Sequence, residues 1–253
     1  MGVGRARRSY PRRLLALARA PHTHFIAVSE AIKRRAVAWG IPAERISVNF
    51  IGVDCRRFSP GPVPLTAREP LVLYVGRLVE KKAPLVLLRA FAHVARVVPA
   101  TRLVLIGDGP LRTAAEQLAR DAALPVTFTG TLDPAQVSSY LAQARVFCLP
   151  STTAANGDAE GLPISLLEAQ ASGVPVVTTA HSGNPEAVDA GRSGFIVPEG
   201  DSEALAERLI CALTDGDFLA TASGHAVAQV RARFDLTVCT ERLEHVYDQV
   251  LDR

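Results

Sequence analysis

Two acids set the chemical question. In the stretch EGLPISLLE, residues 160–168, Glu160 and Glu168 stand eight positions apart with Pro163 between them. Eight is not a metal-ligand spacing, so the pair reads as two carboxylates serving different parts of one ligand. Pro163 suits a first helical turn, where its missing N–H costs nothing, and Gly173 followed by Pro175 ends the helix ten residues later. The free N–H groups at such a start, together with the helix dipole, attract an anion. Glu160 then lies just before the anion site and Glu168 about a turn inside the helix. One acid meets the far end of a phosphate-bearing ligand and the other its near end.

Other polar residues follow strand-like runs. After LVLYV comes GRLVEKK, where Gly76 lets the chain turn and Arg77 and Lys82 follow. These two read either as solvated charges, as most Lys and Arg are, or as cations converging on a phosphate pair. The segment GDGPLR, 107–112, begins like a dinucleotide fingerprint, but Arg112 stands where the third glycine belongs, so no nicotinamide site is indicated. No Walker-type lysine loop occurs. Asp158 and Glu160 have the spacing of a metal-clamping acid pair, yet two acids across one alanine recur by chance, and no metal is assigned.

The elements that must position these residues alternate between short β-branched runs and helical patterns, the signature of parallel βαβ units. Strand candidates are 24–28, 46–50, 71–75, 102–106, 126–130, 146–150, 175–179 and 195–198. A helix is expected over 84–98 with Leu85, Leu88, Phe91, Ala92 and Ala95 on its apolar face. The expected fold class is α/β, a Rossmann-like doubly wound parallel sheet over 70–232, whose ligand loops follow the strands. Residues 1–50 supply too few strands for a sheet of their own and read as the remnant of a second domain. Residues 51–69, rich in proline, read as a linker, and 233–253 as a C-terminal helix.

Composition bounds partners and compartment. With 28 Lys and Arg against 25 Asp and Glu, the charge balance does not point to nucleic acid. Cys55, Cys148, Cys211 and Cys239 are scattered without CxxC pairing, which favours a reducing compartment without zinc. No apolar run approaches the roughly 18 residues of a membrane span, and the first residues lack a secretory core. A cytoplasmic location is expected. Arg5, Arg7, Arg8, Arg12, Arg13 and Arg19 gather around RRLLALARA, as in a basic amphipathic helix touching anionic lipid or a plain surface helix. His22 and His24 read as structural.

GVD with the following F and P, VGRLVEKK, IGDGP and EGLPISLLEAQASGVPVV together resemble the retaining glycosyltransferases of family 4, which have the two-domain GT-B fold. The extended form through SGNPEAV is most similar to bacterial exopolysaccharide transferases of the colanic acid or amylovoran type. The resemblance implies transfer of a hexose from a UDP- or GDP-linked donor to a glycan or lipid-linked acceptor, with no cofactor and no metal. It implies that Glu160 bonds hydroxyls of the donor sugar, Glu168 holds the ribose, and Arg77 and Lys82 neutralise the diphosphate. Gly161, Leu162, Pro163 and Ile164 would line sugar and phosphate through their backbones. Gly76, Gly107 and Gly109, with the Gly130–Thr131–Leu132 turn, would complete the donor pocket and frame the base. The family also has a full N-terminal acceptor domain, of which only the last strands and helices stand here. A truncated product, a misassigned start and one half of a two-chain enzyme all give such a sequence, and the last would be a silent binding module without its partner chain.

Overall fold

A computed structural model describes residues 13–20 and 22–251; the arginine cluster before residue 13 lies outside them. All eight strand candidates appear. β1 (Phe25–Ala27) and β2 (Ile46–Val48) form a small parallel pair joined through α1 (Glu30–Ala38). The remaining strands are β3 (Leu71–Val75), β4 (Arg102–Ile106), β5 (Val126–Gly130), β6 (Val146–Leu149), β7 (Val176–Thr179) and β8 (Gly194–Val197). They make one parallel sheet in the order β5-β4-β3-β6-β7-β8. The order reverses between β3 and β6, and in open α/β sheets ligands bind at such a switch point, outside the carboxyl ends of the strands.

Continuous apolar runs produce these strands because the sheet is covered on both faces. Leu73 and Tyr74 of β3 and all four residues of β6 are fully buried. The covering helices are α2 (Pro84–Val97), α3 (Arg112–Asp121), α4 (Pro134–Gln143), α5 (Ile164–Ala171), α6 (Ser202–Thr214) and α7 (Gly216–Arg233). Their starts are fixed locally. Asp133 and Gln136 form a reciprocal capping box ahead of α4, and Asp201 and Asp215 cap α6 and α7.

The buried face of α2 differs from the expected one. Leu88 and Phe91 are buried as expected, but their companions are Leu87, Ala90 and Val94, while Leu85, Ala92 and Ala95 are only half-buried. α2 packs on both α6 and α3, so its covered face is wider and turned from the stripe that a single contact would select.

Residues 51–69 are irregular apart from one 3-10 turn at Leu65–Ala67, yet they are pinned. Val53, Phe58 and Leu65 are buried, and the Arg68 guanidinium donates to the carbonyls of Val63, Leu141 and Ala144. The last helix, α8 (Leu236–Leu251), returns to this region. Asn49 donates to the Cys239 carbonyl, and the rings of Phe50 and Phe234 meet edge to face. A hollow of about 770 Å³ lies between β1, α1 and residues 156–159, lined by Phe25, Ile32, Trp39 and Ile41 among others. Among the described residues no helix is long and apolar enough to cross a membrane.

Candidate functional site

Three successive side chains of the Glu80–Lys82 turn, after β3, grip the loop that follows β6. Glu80 accepts the N–H of Ala155 at 2.7 Å, Lys81 pairs with Asp158 at 3.3 Å, and Lys82 pairs with Glu160 at 3.1 Å. The turn ends on Ala83, whose left-handed backbone (φ 46°) costs a non-glycine residue about 1 kcal/mol. Asp158 and Glu160 therefore face separate lysines. Among the described residues no group of three or more His, Cys, Asp or Glu is placed to hold a metal ion.

The Lys82–Glu160 pair is nearly dry, with side chains 15% and 9% exposed. Desolvation lowers the Lys82 pKa, and the Glu160 charge opposes that shift. Beneath the pair lies Tyr74, fully buried, whose hydroxyl donates to the Arg77 carbonyl at 3.0 Å. Burial raises the Tyr74 phenol, and the Glu160 charge raises it further. The Arg77 side chain is exposed and forms no salt bridge among the described residues. The structure thus joins Lys82 to Glu160 and leaves Arg77 at the rim.

Pro163 is the N-cap of α5 rather than its first helical residue (φ −68°, ψ 119°), and the helix runs from Ile164. No side chain caps this start; the Leu166 N–H donates to the Pro163 carbonyl at 3.2 Å, which leaves the N–H groups of Ile164 and Ser165 to a ligand. Leu162 and Pro163 are buried, whereas Ile164 is exposed. Glu168 lies one turn in, half-buried; desolvation raises its carboxyl pKa, with Arg57 opposing. Gly161 sits where a Cβ would come within 2.9 Å of Val28, and its carbonyl accepts the Ser29 hydroxyl.

The glycines of the neighbouring loops have a steric reason. A Cβ on Gly107 would fall 2.1 Å from the Gly76 carbonyl oxygen, and one on Gly109 would fall 2.6 Å from that of Leu78. The Gly107 N–H donates to Gly130, and the Leu78 N–H to Asp108, so the loops after β3, β4 and β5 are knitted together. Asp108 accepts from the Gly109 N–H and from Arg112, both of which lower its pKa. Thr131 is exposed and Leu132 half-buried beside this turn. His24 bonds the Ser47 hydroxyl within the small sheet.

Several site-building residues were not singled out from the sequence. His181, 1% exposed, accepts the Glu160 N–H on Nε2 at 3.0 Å and contacts Glu199 through Nδ1 at 2.8 Å. Ser182 donates to the Glu160 carbonyl at 2.6 Å. Burial opposes ionisation of Glu199, but bonds from the Thr153 N–H, His181 and Thr152 outweigh it and lower that pKa. Their position just past β7 and β8 was the available signal.

A parallel α/β sheet with a nearly dry ion pair at its switch point has the Rossmann-like arrangement of GT-B glycosyltransferases. Residues 57–227 match the family "glycosyl transferases group 1", and the chain belongs to that family. It is 40% identical over 223 residues to WcaL of Escherichia coli (strain K12), named for colanic acid biosynthesis, covering 86% of this chain and 54% of that protein. It is 35% identical to the amylovoran biosynthesis glycosyltransferase AmsK of Erwinia amylovora, covering 73% and 46%. The chain spans about half the length of these relatives. Among solved structures, Anabaena Alr3699/HepE in complex with UDP-glucose superposes with a TM-score of 0.83 at 23% identity, covering 95% of this chain and 68% of that one. That likeness supports the fold alone.

Proposed function

We propose that this chain carries the nucleotide-sugar donor site of a retaining hexosyltransferase acting in exopolysaccharide or cell-envelope synthesis. The observation that carries the reading is the Lys82–Glu160 pair at the switch point, beside the uncapped start of α5. A cation and free N–H groups suit a diphosphate. The adjacent carboxylate suits sugar hydroxyls.

In this reading Lys82 and Arg77 offset the charge of the leaving diphosphate, and Glu160 bonds the donor sugar. Glu168 holds the ribose of a UDP- or GDP-linked donor, a substrate rather than a cofactor. The backbones of Gly161, Leu162, Pro163 and Ile164 line sugar and phosphate. Gly76, Gly107 and Gly109 let the strand-end loops approach one another, and with Gly130, Thr131 and Leu132 they frame the base. The acceptor is a glycan or a lipid-linked saccharide, met at the cytoplasmic face of the membrane. Residues 1–50 belong to the acceptor side, 70–232 to the donor side.

The same site serves a second reading: a donor-binding half that transfers only with an N-terminal partner chain. Calorimetry with UDP and GDP tests the donor site, with affinities expected in the high micromolar to millimolar range, about 4–6 kcal/mol. Absence of nucleotide binding overturns it. Transfer from a radiolabelled sugar donor by this chain alone selects the first reading, and transfer only on adding an N-terminal domain selects the second.

A further inference from the structure

Both backbone polar groups of Glu160 are held by adjacent side chains of another loop. Its N–H donates to Nε2 of His181 at 3.0 Å, and its carbonyl accepts the Ser182 hydroxyl at 2.6 Å. A backbone N–H can only donate, so Nε2 is the unprotonated nitrogen and the ring proton sits on Nδ1. Nδ1 then donates to Glu199 at 2.8 Å. Glu199 in turn accepts the Thr153 N–H at 2.8 Å and the Thr152 hydroxyl at 3.0 Å. The result is a closed circuit through the loops after β6, β7 and β8, and it holds the peptide that carries Glu160.

The circuit is built at a cost. His181 is 1% exposed, and a buried imidazole is tolerated only when both nitrogens find partners, as they do here. Ser182 adopts a left-handed backbone (φ 47°), a conformation that is strained for a non-glycine residue. Packing alone needs neither feature, since an aliphatic side chain would fill the space at position 181. Strain and buried polarity concentrated on one peptide mark a position whose orientation matters.

We infer that His181, oriented by Glu199, is a positioning residue: it fixes the Glu160 peptide so that the Glu160 carboxylate points at the donor sugar. This rests on the proposed role of Glu160 in the donor site. His181 itself touches only protein. Its influence falls on recognition of the sugar, because the nucleotide is held elsewhere, by Glu168, the start of α5 and the cations.

The test uses this chain, titrated calorimetrically with UDP, UDP-glucose, GDP and GDP-mannose, and amide exchange at residue 160 followed by NMR. His181→Leu keeps bulk and removes the acceptor. It is expected to speed exchange of the Glu160 amide at least about tenfold and to weaken the preferred sugar nucleotide about tenfold. Affinity for the matching nucleoside diphosphate stays unchanged. His181→Gln places an acceptor near the Nε2 position and restores most of both effects. Equal loss of nucleotide and sugar-nucleotide binding overturns the inference in favour of a plain structural role. So does unchanged protection of the Glu160 amide, or failure of His181→Gln to recover. Glu160→Gln separates the two levels. If it leaves sugar-nucleotide affinity at the wild-type value, the donor-site reading fails; if it weakens that affinity while His181→Leu does not, only the positioning role fails.

Discussion

Lys82 and Glu160 approach to 3.1 Å from loops on either side of the sheet's switch point, with little water around either side chain. Taking the pair out of water costs free energy that only their mutual attraction offsets, so removing one partner leaves an uncompensated buried charge. Lys82→Met is therefore expected to destabilise the chain by about 3–5 kcal/mol. The double variant Lys82→Met/Glu160→Gln should cost less than the sum of the single changes, with a coupling of about 1–3 kcal/mol. Urea denaturation of the four proteins measures this. Simple additivity would show that the pair is not energetically coupled.

Glu168 ties stability to pH. Burial raises its folded pKa above the ordinary 4.5, so the folded chain keeps this proton to higher pH than the unfolded chain does. That contribution to stability is full below the unfolded value and is lost as pH rises through the folded one. Glu168→Gln should therefore raise Tm relative to wild type at pH 7 and not at pH 4, while weakening nucleotide binding about tenfold. An equal Tm difference at both pH values would remove the burial argument.

Gly107 meets the backbone of another loop rather than a yielding side chain. In Gly107→Ala the new methyl group would lie 2.1 Å from the Gly76 oxygen at φ +135°, so a loop must move. A loss of about 3 kcal/mol or more is expected. Gly191→Ala is the control: φ is +80°, nothing lies within 4 Å, and only the backbone term of about 1–2 kcal/mol applies. Equal losses would show that the loops have room to part.

Glu186 caps α1 from across the chain, its two carboxylate oxygens accepting the N–H groups of Glu30 and Ala31, each at 2.8 Å. A carboxylate there answers both the free N–H groups and the helix dipole. The small sheet it supports has few neighbours, and Ile26 is 38% exposed. Hydrogen exchange should be faster in 25–48 than in β3, and faster again there in Glu186→Ala, with β3 unchanged. Protection of 25–48 equal to that of β3 in a monomer would contradict this.

How much could be read from the chain follows from where the information lies. The strands were legible because a sheet covered on both faces demands uninterrupted apolar runs such as LVLYV and VFCL. The α5 start was legible from Pro163, and its end from Gly173, which adopts φ +70°. These are local constraints, written in neighbouring residues. The covered face of α2 was not legible, because Leu87 and Val94 are buried in a helix that packs on both α6 and α3, and periodicity within one helix carries no record of two partners. Nor was His181: a lone histidine after a strand has no pattern until Glu160, 21 positions earlier, is folded against it.

The sequence by itself determined the alternating elements, the place of Arg77 and Lys82 after a strand, that of Glu160 before a helix start and of Glu168 inside that helix, and the glycines that the tight turns require. Tertiary structure alone decided that Lys82 meets Glu160 while Lys81 meets Asp158, that Arg77 stays at the rim, and that His181 and Ser182 hold the Glu160 peptide. Backbone propensity acts over a few residues, whereas ion pairs and buried hydrogen bonds depend on distances of a few ångströms between loops. The folded sheet sets those distances when it brings the ends of β3, β6 and β7 side by side.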